Sequence, residues 1–320
     1  MCSSDLASYN TAVGYQAGYS NTTGNFSVYV GRAVGYSNTT GVENTAVGGS
    51  AGGLSLPAFY SNTTGSYNTA FGSAALASNT TASNNTAVGY QAAYSNTTGS
   101  GILAIGYQAG YSNTIGNGNT AIGNGNAYTG AALYSNVSGN NNVAVGSGSL
   151  YTTTASNNTG IGYEALKLTS SGGSNVALGT QALYSNTTAS NNTAVGYQAG
   201  YQTTGAGNAF FGVSAGYNVT SGTSNAYLGN SAGPNSGSAS TGSYNVGVGT
   251  SALNSNTTAS GNTAVRYQAM YSNTVGGYGV AIGYQAMYTA TNSDSDVAIG
   301  YRAGYAKNTN ADTGNSVFIG

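Results

Sequence analysis

The chain has 320 residues, of which 3% are charged, with a formal net charge of −1; it carries 52 Gly and 28 Tyr but no His and no Trp. So little charge excludes a basic stripe for neutralising phosphates, and the lack of His removes Ser–His catalysis and the common zinc sites. A composition poor in charge and rich in Gly usually accompanies disorder, but 39% hydrophobic content placed at a strict internal period overrides that expectation.

At the start of the chain, Met1 to Leu6 (MCSSDL) shows neither the basic nor the apolar region of a signal peptide. Cys2 is the lone cysteine, which leaves no intrachain disulfide. No stretch approaches the roughly 18 apolar residues of a transmembrane helix. Residues 1–9 read as an irregular lead-in and 10–320 as a single β-solenoid repeat domain, uncapped at both ends. Open ends point to a segment of a longer protein or to units that stack end to end.

From Asn10 onward the motif N-T-A-V-G-Y-Q-A recurs. Its anchor glycines are Gly14, Gly31, Gly48, Gly72, Gly89, Gly106, Gly123, Gly146, Gly162, Gly179, Gly196, Gly212, Gly229, Gly249, Gly283, Gly300 and Gly320, with Arg266 in one copy. Most steps are 17 residues, as from Gly89 to Gly106, and the longest reach 20, 23 and 24. The unit is therefore close to S-N-N-T-A-V-G-Y-Q-A-G-Y-S-N-T-T-G, as in Ser190 to Gly205, repeated in about 17 coils. The additions follow the Y-Q-A segment, at 53–59, 124–130, around Gly233-Pro234 and at 307–312. Insertions confined to one phase mark a loop on one face of a solenoid.

The residue before each anchor is apolar, and Val13, Val88, Ile105, Ile122, Val145, Leu178, Val195, Ile282 and Ile299 are assigned to the core. Thr11 or Val143, two residues earlier in their coils, share that face, and the intervening Ala12, Ala46 or Ala104 points the other way. Each unit reads as two short strands, one ending at the anchor and one around Y-Q-A. The glycine makes the first corner and the S-N-T-T-G segment the second. The expected fold class is all-β: a repetitive parallel β-solenoid or β-roll. Stacked at about 4.8 Å per coil it would form a rod of about 80 Å.

Like-on-like stacking predicts ladders. Tyr15, Tyr90, Tyr107, Tyr163, Tyr197, Tyr267, Tyr284 and Tyr301 share one phase. Tyr19, Tyr36, Tyr94, Tyr111, Tyr128, Tyr151, Tyr184, Tyr201, Tyr217, Tyr271, Tyr288 and Tyr305 share another, and Asn10, Asn68 and Asn85 a third.

Copies such as Asn119-Thr120-Ala121-Ile122-Gly123, 174–179 (SNVALG) and 296–300 (DVAIG) resemble the head repeats of YadA-like trimeric autotransporter adhesins. They are also similar to repeat shafts of phage tail-fibre proteins that end in an endosialidase-type chaperone domain. The resemblance runs from Asn10 to Gly320. It implies a left-handed parallel β-roll, assembled as a homotrimer outside the cell and used for attachment. The chain departs from the pattern in its longer coil, its abundance of Tyr, and the absence of anchor, stalk and neck.

Chemistry-bearing residues are sparse, and no catalytic, cofactor-binding or metal-binding residue is assigned. Glu43 and Glu164 occupy different phases of distant coils and form no acid–base pair. Asp294-Ser295-Asp296 has the alternation of a calcium loop without the remaining ligands, and reads as a solvated turn. Gly123-Asn124-Gly125 has no following helix to make it a phosphate loop. Arg266 reads as a packing irregularity. Asn21, Asn38, Asn62, Asn79, Asn96, Asn186 and Asn256 each begin an N-x-[ST] sequon, so they are either plain turn residues or glycan acceptors.

The expected function is a structural, adhesive fibre segment at the cell surface or outside it. Its expected partners are itself, as homotrimer or end-to-end filament, and then a glycan or surface met by the Tyr, Asn and Thr ladders; nucleic acid and membrane insertion of this segment are not expected. A phage tail-fibre shaft, placed in the virion tail, and a purely structural glycosylated filament subunit stay open. Ice binding is disfavoured, because the paired Thr residues are adjacent and point to opposite sides.

Overall fold

A computed structural model describes residues 7–49, 56–125, 130–306 and 315–320. Cys2, Tyr128 and the insertion residues 53–55, 126–129 and 307–312 lie outside the described residues. The chain is all-β, with 18 parallel strands stacked as a β-solenoid of about 17 turns and no helix among the described residues. It divides into two compact units, Met1–Glu164 and Ala165–Gly320.

The first unit holds β1 (Thr11–Val13), β2 (Val28–Val30), β3 (Thr45–Val47), β4 (Thr69–Phe71), β5 (Thr86–Val88), β6 (Leu103–Ile105), β7 (Thr120–Ile122), β8 (Val143–Val145) and β9 (Thr159–Ile161). The second holds β10 (Val176–Leu178), β11 (Thr193–Val195), β12 (Ala209–Phe211), β13 (Ala226–Leu228), β14 (Val246–Val248), β15 (Thr263–Val265), β16 (Val280–Ile282), β17 (Val297–Ile299) and β18 (Val317–Ile319). Every strand is three residues long and pairs in parallel register with its equivalent: Thr86 meets Leu103, Ala87 meets Ala104 and Val88 meets Ile105.

The two faces of the strand are the reverse of the expected ones. The central alanine is the buried residue: Ala46, Ala70, Ala87, Ala104, Ala121 and Ala144 in the first unit, Ala177, Ala194, Ala264, Ala281 and Ala298 in the second. The residues on either side of it point out. Val13, Ile105, Leu178, Ile282 and Ile299 are exposed, and Val88, Ile122, Val145 and Val195 are half-buried, so none of these nine belongs to the core. The physical reason is the thinness of the coil. Two walls of one short turn face each other across a space that leaves the strand centre room for a methyl group once the facing wall has contributed its own side chains.

The opposite wall supplies the alanine three residues after the corner (Ala92, Ala109, Ala182, Ala199, Ala269, Ala286) and the residue after it, often Leu or Met (Leu76, Leu133, Leu150, Leu183, Leu253, Met270, Met287), all buried. Where the strand centre is aromatic, this last position is glycine. A Cβ on Gly35 would stand 2.5 Å from the Tyr29 ring, and one on Gly200 or Gly216 would stand 2.6 or 2.5 Å from the Phe210 ring. Volume is thus exchanged between walls, keeping the core close-packed.

The second expected strand, around Y-Q-A, does not form. That segment is a chain of turns with left-handed residues at Gln91 (φ 55°) and Ala93 (φ 48°), and equivalents such as Gln198 (φ 53°) and Leu183 (φ 51°), which no extended strand accommodates. Its backbone groups still pair with neighbouring coils, as in Gln91 N–H to Ser73 O at 3.0 Å and Ala93 N–H to Ala109 O at 2.9 Å.

The corner glycines behave as expected: from Gly14 to Gly300 they hold φ between 121° and 154°. Side chains are excluded there twice over, since a Cβ on Gly89 would also stand 2.5 Å from the carbonyl oxygen of Gly106 in the next coil. Arg266 adopts the same corner at φ 96°. The described insertion after Gly233-Pro234 leaves the stacking intact: Asn218 N–H reaches Pro234 O at 3.0 Å, Asn235 N–H reaches Asn254 O at 2.9 Å, and 236–239 are exposed.

Two outcomes are expected in chemical unfolding. Arg266→Gly relieves the strained corner and raises stability by about 1 kcal/mol; no gain would mean that the corner tolerates a side chain. Phe210→Ala costs about 3–5 kcal/mol through the cavity it leaves. Adding Gly216→Leu to that variant recovers more than half of the loss, whereas Gly216→Leu alone destabilises; additive losses would refute the exchange of volume between walls.

Candidate interaction surfaces

Three kinds of ladder arise from the stacking, and each sits at a different depth. The outermost is apolar. Positions one and three of every strand form two parallel rows, in which Phe71, Ile105, Leu178, Phe211, Leu228, Ile282 and Ile299 are exposed by 37% to 57%. Thr69, Thr86, Thr120, Thr193 and Thr263 interrupt the first row. Apolar rows continuing from coil to coil in this way are unusual on a protein that meets only water.

The second kind is aromatic. At the phase that lies five residues past the corner in a coil without insertion, Tyr19, Tyr36 and Tyr60 stack, as do Tyr94, Tyr111, Tyr134 and Tyr151, with ring centroids 5.1 to 5.3 Å apart. In the second unit Tyr184, Tyr201 and Tyr217 stack at 5.0 Å, and Tyr271, Tyr288 and Tyr305 at 5.2 and 5.3 Å. Tyr60 and Tyr134 are therefore members of this row. The position sought at Tyr128 is filled by Tyr134, because the insertion before it shifts the count. One residue past the corner a more exposed row contains the stacks Tyr90–Tyr107 and Tyr267–Tyr284–Tyr301, at 5.2 to 5.4 Å.

Next to the exposed row, glutamine amides link successive coils: Gln108 Nε2 donates to Gln91 Oε1 at 2.8 Å, and Gln285 Nε2 to Gln268 Oε1 at 2.9 Å. Arg302 continues the second of these through Nε to Gln285 Oε1 at 3.1 Å, and its guanidinium lies 4.5 Å from the Tyr305 ring centroid. Within the stacks each ring face is covered by the next ring. The ladders therefore offer ring edges and hydroxyl groups along their length, and open faces only at the ends of a run.

The third kind is buried and polar, and it contains the sequon asparagines. Asn38, Asn62, Asn79, Asn96, Asn186 and Asn256 have essentially no solvent exposure. In the first unit each amide donates twice: Asn79 Nδ2 reaches Asn62 Oδ1 at 2.8 Å and Ala82 O at 3.0 Å, and Asn96 Nδ2 reaches Asn79 Oδ1 at 2.9 Å and Gly99 O at 2.9 Å. Asn21 heads the row, accepting from Asn38 Nδ2 at 3.2 Å and donating to Gly24 O at 2.9 Å. The nitrogen that would carry a glycan is bonded to a loop carbonyl in all seven, and buried in all but Asn21, which fits the plain-turn alternative of the two readings.

A second interior row comes just before each strand. Asn68 Oδ1 accepts the N–H of Asn85 at 3.1 Å, and Asn192 Oδ1 that of Asn208 at 2.8 Å. Asp296 occupies this phase near the end of the second unit, buried and accepting from Ser316 N–H at 2.9 Å, whereas Asp294 is exposed. The two acids consequently do not converge, and among the described residues no group of three or more His, Cys, Asp or Glu stands together. Among the same residues no helix is long and apolar enough to cross a membrane.

The Tyr111 hydroxyl is pushed above the ordinary phenol range, first by burial and then by Tyr134, Tyr94, Tyr90 and Tyr107, so the two tyrosine rows lie close enough to interact.

No family model and no curated protein matches the chain.

Replacing Asn79 by Ala is expected to cost about 1–3 kcal/mol, because it strands the buried Oδ1 of Asn62 and one N–H of the Asn96 amide, while Ala82 O keeps its bond from Asn68 Nδ2. Urea unfolding measures the loss. A change within about 0.5 kcal/mol would show that this asparagine is a surface turn residue after all.

Proposed function

We propose that this chain is a structural and adhesive segment of an extracellular fibre, which associates with further copies of itself through the apolar face of its strands. The observation that carries the reading is the outward placement of the Val, Ile, Leu and Phe residues that precede the corner glycines. A monomer gains nothing from holding β-branched and aromatic residues in rows against water, whereas burying those rows between copies supplies the usual driving force for association. Low charge favours the same outcome, since copies approach without net repulsion.

The resemblance to YadA-like adhesin heads adds a homotrimeric β-roll to this reading. Attachment would then use the surface left free by the strand faces: the tyrosine rows with their glutamine amides, and the exposed second threonine of the loops, such as Thr64, Thr98, Thr188 and Thr258. With ring faces covered inside each stack, recognition of a glycan or surface proceeds mainly through hydroxyl and amide hydrogen bonds at ring edges.

Sedimentation velocity on the purified chain tests the association. The chain is expected to sediment as a discrete oligomer, and Ile122→Lys with Val145→Lys is expected to return it to monomer without altering its far-ultraviolet circular dichroism. A parent chain that is monomeric at micromolar concentration would overturn the proposal.

A further inference from the structure

The tyrosine rows hold reactive groups in a fixed and repeated geometry. Phenols on successive coils stand with ring centroids 5.0 to 5.4 Å apart and ring planes within 20° of parallel. The side chains lie at the surface. Tyr90, Tyr107 and Tyr267 are about two-fifths exposed, and Tyr301 more so. Phenols at these positions are not needed to complete the core, which alanine, leucine and methionine already fill.

We propose that the stacked tyrosine rows are sites of oxidative cross-linking, at which phenols of adjacent coils couple to dityrosine under a haem peroxidase and hydrogen peroxide. Each phenol gives up one electron and one proton to become a phenoxyl radical. Two radicals join ortho carbon to ortho carbon, and the hydrogen on each of those carbons moves as a proton to its phenolic oxygen, restoring both rings. The pair has lost two hydrogen atoms in all, and hydrogen peroxide takes them up to become two waters.

The ladder favours this coupling because the partner phenol is already one coil away, so a chance encounter is replaced by a held neighbour. The exposed row adds an entry point. Tyr107 is accessible and lies close enough to Tyr111 and Tyr134 to raise their hydroxyls, which gives a radical formed outside a route inward.

The rows also set a limit on the reaction. Ala77, Lys167, Pro234 and Asn254 occupy the tyrosine phase of their coils and interrupt the inner row, leaving separate runs of three or four phenols. A run of three yields one bond and a run of four yields two, because each ring is used once. Phe26, stacked on Tyr9 at 5.0 Å, carries no phenol and closes that pair to coupling. The product would be a solenoid stapled from coil to coil across its own turns, independent of whether copies associate through their strand faces.

The test treats the full chain, at low concentration, with peroxidase and limiting hydrogen peroxide. Dityrosine fluorescence, intact mass and mapping of cross-linked peptides follow the reaction, and mixed heavy-isotope and light chains separate bonds within a chain from bonds between chains. Expected are within-chain pairs between ladder neighbours, such as Tyr94 with Tyr111 and Tyr134 with Tyr151, each lowering the mass by two hydrogens, and a yield about tenfold lower in concentrated urea. Tyr94→Phe with Tyr134→Phe keeps the ring stack and leaves Tyr111 and Tyr151 two coils apart, so bonds among these residues should disappear. Equal yield and the same scatter of pairs in urea, pairs joining non-adjacent coils, bonds found only between chains, or an unchanged pattern in the double variant would each overturn the proposal.

Discussion

Each coil of this protein is held in place by lying on its own equivalent. A three-residue strand with a few turns cannot bury its backbone or form a core alone, so nearly every N–H and C=O must find its partner in the coil above or below. The sequence repeat makes this possible by presenting the same group at the same place each time: strand to strand, turn to turn, asparagine to asparagine and ring to ring. The stacking is the constraint from which the other features follow.

The first thing it demands is thinness. A narrow coil leaves room for a methyl group at the strand centre, so alanine stands there against the alanine, leucine or methionine of the facing wall, and the apolar residues that flank it in the strand are sent outward. Where an aromatic residue does enter, at Tyr29, Phe210 or Tyr227, glycines on the facing wall make room for it. The second demand is for polar satisfaction in an interior with little water. Asparagine meets it well, because one amide both donates and accepts and so passes a hydrogen bond along the stack while closing its own loop. The outward apolar rows are what remains, and the proposed association rests on them: a coil this thin has more apolar side chains than it can hide alone.

Much of this architecture is legible in the amino-acid order. The 17-residue period, the corner at Gly14 and its equivalents, and the existence of tyrosine and asparagine ladders follow from phase alone. Direction does not. Val88 and Ala87 alternate across a strand whichever face is inside, and the larger side chain is the natural choice for a core until the width of the coil is known. The Y-Q-A segment has strand-like composition, yet the left-handed backbone at Gln91 and Ala93 is carried by residues whose identity gives no hint of it. Asn-Thr-Thr reads as a surface sequon because turns usually face water. In this coil the asparagine turns inward, and the hydroxyl of the following threonine bonds the next loop, as in Thr80 Oγ1 to Thr97 O at 3.0 Å. Tyr134 escaped because an insertion hides its phase, although counting backward from Tyr151 recovers it.

The account turns on the strand face as the surface where copies meet, and distances between copies test it most directly. With Cys2 replaced by Ser, a spin label on a cysteine at Val145 would sit on that face, and one at Thr98 on the loop side. Pulsed electron paramagnetic resonance on assemblies diluted with unlabelled chain then reports the separation between labels on different copies. The account requires short between-copy distances for the label at Val145 and markedly longer ones at Thr98. Equal distances at the two sites, or the shorter at Thr98, would contradict it.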